Sequence, residues 1–146
     1  MFTPSREQAR RFLIDAWRKR LLSQPATPLE TLAADIVVIH PEYHGLLDSG
    51  DDAVDRDWTP MQGETNPFLH LSLHLAIEEQ LSIDQPPGIA AAFRHLLALH
   101  AGERHQAMHV VIDCLGETLW QAARDGAPLD ADAYLQRLRR AAGHTA

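Results

Sequence analysis

The chain lacks the raw material for several common structural solutions. Cys114 is the one cysteine among 146 residues, so no intrachain disulfide can form and a cysteine-rich zinc module is excluded. Nowhere do about 18 apolar residues run together, the length a membrane-spanning helix requires. The opening residues Met-Phe-Thr-Pro-Ser-Arg carry no apolar segment of the secretory type, so the expectation is a cytoplasmic protein. No alternating apolar–polar run of useful length marks a β-strand.

Basic residues are scarce after the first helix. The formal net charge is −7. Residues 1–24 hold six basic residues against Glu7 and Asp15, whereas 25–128 hold sixteen acidic and four basic ones. Phosphate recognition needs a basic face, so neither nucleic acid nor a membrane surface is expected as a partner. The basic N-terminal helix suits the acidic middle of the chain, or an acidic protein partner; a homo-oligomer is the other association left open.

Helical periodicity fills most of the chain. Thr3-Pro4 reads as the start of a first helix, whose stripe is Ala9, Phe12, Leu13, Ala16 and Trp17. Thr27-Pro28-Leu29-Glu30 starts a second with a capping box and leads to His40. Pro41 interrupts that pattern, which leaves His40 and His44 one turn apart near a helix end. Residues 48–65 read as a long acidic loop, too far from the calcium-loop pattern to be one. Helices are then expected from Asn66 to Ile83, after the breaker Asp84-Gln85-Pro86-Pro87-Gly88, from Glu103 to Arg124, and over the last stretch before a loose tail at 143–146. Gly116 inside the fifth costs about 1 kcal/mol against Ala, and close packing of a neighbouring helix is the expected reason. The fold class is all-α, a compact bundle of five or six helices forming a single domain over 1–146.

The stretch from Asn66 to Ile83 is the centre of this reading. Asn66 can cap and Pro67 suits the first helical position. At about 100° per residue, His70 and His74 fall with Ile77 and Leu81 in the middle of the apolar face, opposite Ser72 and Glu79. Glu78 lies one turn beyond His74. Three His-x-x-x-His pairs occur in all: His40/His44, His70/His74 and His105/His109. Residues four apart on a helix are neighbours, so two imidazoles can reach one metal, with further ligands from another helix. The candidate ligands are therefore His70 and His74, then His105 and His109, then His40 and His44, with Glu78 as a ligand or as the acceptor that orients an imidazole. A nitrogen-rich set suits zinc, nickel, iron or copper and disfavours calcium and magnesium. The competing reading is a metal-free interaction module whose buried histidines are structural. Nucleophilic catalysis is unsupported, because Cys114 projects about 180° from the His105/His109 border of its helix. No catalytic residue or substrate is indicated.

His-Glu-x-x-His and the Glu-x-x-His pairs of carboxylate bundles are absent. The order His40 or His44, His74-x-x-x-Glu78, His105-x-x-x-His109 resembles part of the hemerythrin pattern, without its final His and Asp. DinB-like three-histidine bundles are a second, looser resemblance. His-Pro-Glu-Tyr-His (40–44), the stretch 66–80 and Ser-Ile-Asp-Gln-Pro-Pro-Gly-Ile (82–89) resemble a bacterial family catalogued as domain of unknown function 1841. That resemblance covers nearly the whole chain; it implies a small helical bacterial protein and no established activity.

Overall fold

The computed structural model describes residues 5–54, 56 and 66–143. These residues form α1 (Arg6–Leu21), α2 (Pro28–Val38), a 3₁₀ turn (Pro41–Tyr43), α3 (His44–Asp48), α4 (Asp51–Val54), α5 (Pro67–Ile83), α6 (Ile89–Leu99), α7 (Arg104–Asp125) and α8 (Ala131–Ala141). The all-α expectation holds among the described residues, but eight α-helices stand where five or six were expected. The excess comes from α3 and α4, of 5 and 4 residues. Periodicity needs about 11 residues to register a helix, so pieces this short escape it. No helix is long and apolar enough to cross a membrane among the described residues.

α4 occupies part of the stretch expected to be an acidic loop over 48–65. Its Ala53 and Val54 are buried, which anchors the segment. The rest of that expected loop, residues 55 and 57–65 apart from Arg56, lies outside the described residues, as do the expected cap Thr3-Pro4 and residues 144–146 of the tail.

The chain divides into two compact units, Met1–Leu75 and Ala76–Ala146, and α5 runs through the boundary. In the first unit, α1 packs on α2, α3 and α4. Ser5 caps α1 in a reciprocal box with Gln8, two residues past the expected cap Thr3. Thr27 and Glu30 form the box expected for α2, at 2.9 and 3.1 Å. Leu13, Ile14, Trp17, Ala33, Ile36, Val37, Leu47, Phe68 and Leu71 make the core. Each large aliphatic among them contributes roughly 1.5–3 kcal/mol on burial. Much of the basic charge of α1 is spent inside this unit: Lys19 pairs with Glu30, Arg20 with Asp35, and Arg10 donates to the carbonyls of Val54 and Arg56 at 2.7 Å.

In the second unit, α6, α7 and α8 pack against one another. Ile89, Phe93, Leu96, Met108, Val111, Leu115, Tyr134 and Leu138 are buried there. Tyr134 donates its hydroxyl to Gln80 Oε1 at 2.7 Å, which satisfies a fully buried phenol; burial pushes that phenol far above its ordinary range. Gly126, at φ 62°, closes α7 in the left-handed cap conformation that glycine adopts without strain.

Candidate metal centre

Asn66 opens α5 as its side chain suggested, accepting from the N–H groups of Phe68 and Leu69 at 3.0 and 3.2 Å. That start sets the phase of the helix and so the placement of its histidines. His74 is buried at 1% exposure, and His70 is half-buried one turn before it. His40 comes from the far end of α2, also at 1% exposure. Three imidazoles therefore meet in the first unit, two from α5 and one from the residue that links α2 to the 3₁₀ turn.

Their nitrogens converge. His40 Nε2 lies 3.1 Å from His70 Nε2, and His74 Nε2 lies 3.2 Å from the same atom. The three rings stand steeply to one another, with interplanar angles of 77°, 71° and 74°. That is an edge-on cluster rather than a stack. Two nitrogens on one tetrahedral zinc, each about 2.0–2.1 Å from it, stand about 3.3 Å apart, so these two spacings are compatible with donors on one ion.

The same spacing also suits an N–H···N hydrogen bond. His40 Nδ1 lies 2.7 Å from the Ile36 carbonyl oxygen. A carbonyl only accepts, so Nδ1 carries the proton and the neutral ring presents a lone pair at Nε2. A hydrogen bond between the two then runs from His70 Nε2–H to His40 Nε2, and His70 Nε2 faces the nitrogen of His74 as well. Where no proton lies between them, facing lone pairs of this kind could also hold a cation. A backbone carbonyl on the remote nitrogen is also the usual orienting contact of a ligating histidine.

Tyr43 adds a wall. The 3₁₀ turn that Pro41 starts carries its ring over His40 in a parallel, offset stack, with centroids 5.5 Å apart and planes 5° apart. The ring also meets His70 edge-on at 6.0 Å. Burial, and then the charge of Glu42, push the Tyr43 phenol up, so it stays protonated at neutral pH. Sequence spacing had singled out only the histidines of this segment.

His44 is directed elsewhere. Its Nε2 donates to the Val37 carbonyl at 2.8 Å, and its ring packs on Trp17 at 4.5 Å. The Trp17 indole in turn donates to Asp48 Oδ1 at 2.9 Å. The spacing of four between His40 and His44 is not a helical i, i+4 pair, because Pro41 breaks the helix between them.

In the second unit, His105 and His109 lie side by side on α7 with ring centroids 4.1 Å apart. One ring nitrogen of each lies within 4.8 Å of the other, a spacing that could let the pair reach one ion. Glu78 does not stand ready as a ligand: its carboxylate accepts two hydrogen bonds from the Arg104 guanidinium, the longer at 3.0 Å. Cys114 is buried, and burial followed by the charges of Asp113 and Glu117 pushes its thiol up, away from the reactive thiolate.

No curated protein and no solved structure matches the chain, so neither the hemerythrin-like resemblance of residue order nor the DinB-like one of fold and ligand kind is shown. A family model does match, over residues 5–140, which takes in both units and all the histidines named above. The chain belongs to the family described as Domain of unknown function (DUF1841).

Proposed function

We propose that this helical protein binds a transition metal through His40, His70 and His74. The observation that carries the reading is the convergence of three Nε2 atoms at 3.1 and 3.2 Å, with the His40 tautomer held by the Ile36 carbonyl. An imidazole-only set suits zinc, nickel, iron or copper. His105 and His109 are a donor pair of the second unit, and substitution tests whether they bind metal. Such an ion, with an open position, supplies Lewis-acid chemistry. No residue of the chain names a substrate.

The test is elemental analysis of protein purified without a histidine tag or added metal. Stoichiometric transition metal is expected, and its loss in His40→Ala and in His70→Ala/His74→Ala. The metal content of His105→Ala/His109→Ala shows whether that pair binds metal. Wild type that is metal-free and takes up none of zinc, nickel, iron or copper would sink the reading. It would favour an interaction module with structural histidines instead.

A further inference from the structure

We propose that Tyr43 is a positioning residue for this site, holding the His40 imidazole in the plane that aims its Nε2 toward His70 and His74. The inference rests on the proposed metal site. The hydrogen bond from His40 Nδ1 to the Ile36 carbonyl fixes one atom of the ring and the direction of one bond. A hydrogen bond tolerates bending, so it still lets the ring pivot somewhat about its Cβ–Cγ bond, which swings Nε2 and tilts its lone pair. A flat surface parallel to the imidazole blocks the pivot, and the Tyr43 ring lies parallel to within 5°.

The wall is itself fixed through the backbone. Tyr43 N–H donates to the His40 carbonyl at 2.9 Å, closing the 3₁₀ turn on the residue it supports. His40 N–H donates to the Val37 carbonyl at 2.9 Å, which ties the turn to the end of α2. Pro41, with its backbone angle locked, starts the turn between them. Ligand, turn and wall thus come from four consecutive residues, His40 to Tyr43. The edge of the same ring bounds His70, so Tyr43 touches two of the three imidazoles. What it contributes is an aromatic face. The hydroxyl has no part in holding the plane.

That distinction supplies the experiment. Cobalt(II) chloride is titrated into metal-stripped wild type, Tyr43→Phe and Tyr43→Leu, and the dissociation constant and visible ligand-field spectrum are recorded. Far-UV circular dichroism confirms the fold of each variant. Phe keeps the flat face and is expected to match wild type in affinity and spectrum. Leu removes it, and about a tenfold weaker affinity is expected, the lower end of the loss for an outer contact of a ligand. A shifted cobalt spectrum should accompany that loss, which a general loss of stability would not produce. If Tyr43→Leu does not fold, Tyr43→Met replaces it, since it fills volume without a flat face. Leu or Met matching wild type in both readouts overturns the inference. So does a Phe variant as impaired as Leu, since that would assign the effect to the hydroxyl. Wild type that binds no cobalt overturns the metal site itself, and this inference with it.

Discussion

His40 Nδ1 donates to the carbonyl oxygen of Ile36, one turn back, at 2.7 Å. His44, four residues on, uses a ring nitrogen on another carbonyl of the same helix, that of Val37 at 2.8 Å. The two contacts have opposite consequences. In His40 the hydrogen-bonded nitrogen is Nδ1, which leaves Nε2 to the histidine cluster. In His44 it is Nε2, and the ring packs on Trp17 at a tilt of 31°.

The two histidines should therefore separate under mutation. His44→Ala is expected to leave metal content unchanged and to lower stability by about 1–2 kcal/mol, from one hydrogen bond and one aromatic contact. The loss stays modest because the Val37 carbonyl keeps its bond from the His40 N–H. His40→Ala should lose the metal. Denaturant titration and metal analysis on the same preparations check both, and metal loss in His44→Ala would contradict the assignment.

Metal removal should weaken the fold of the wild type alone. A ligand present at about 100 times its dissociation constant stabilises the native state by about 2.7 kcal/mol, provided the unfolded chain does not bind it. Excess chelator is expected to lower the denaturation midpoint of wild type. His70→Ala/His74→Ala should show no response to chelator. Equal responses in both proteins would place the metal elsewhere.

The helical phase of α5 was legible because Asn66 and Pro67 mark its start without ambiguity and the helix keeps one register over its seventeen residues. The burial of His74 and its approach to His70 follow from that phase. The partners that come from distant sequence were not legible. Nothing in the order of residues places Arg104 on Glu78 or the Ile36 carbonyl on His40 as against His44. The His40/His44 spacing misled for a local reason: Pro41 converts an apparent i, i+4 pair into residues on either side of a 3₁₀ turn. Tyr43 was on the page as part of His-Pro-Glu-Tyr-His, yet periodicity says nothing about a turn of three residues.

Gly116 corrects a second expectation. Close packing of a neighbouring helix was the anticipated reason for glycine inside α7, yet a Cβ built there meets nothing within 4 Å. Gly116→Ala should therefore stabilise the protein by about 1 kcal/mol through helix propensity alone. A rise in the chemical denaturation midpoint at unchanged slope is the expected result. A fall would show a neighbour close enough to clash.

Asp84 provides a test in acid. It sits at φ 50°, in the left-handed region, and its carboxylate accepts from Ala90 N at 3.0 Å and from Gly88 N at 3.2 Å at the head of α6. The bond from Ala90, then that from Gly88, hold the carboxyl below its ordinary value of 3.8. Between the two values the unfolded chain binds more protons than the native one. The contribution is therefore present above the ordinary value and is lost as pH falls through the lowered one. Asp84→Asn keeps an acceptor and tolerates the left-handed backbone, but cannot titrate. Asp84→Ala loses the acceptor and strains the backbone at every pH. The stability of wild type relative to Asp84→Asn should hold constant near neutrality and shrink as pH drops from about 5 to about 3, while Asp84→Ala stays the least stable throughout. Denaturation curves across that range decide it, and a wild type–Asn difference that does not change with pH would show that the backbone N–H groups do not favour the ionised form.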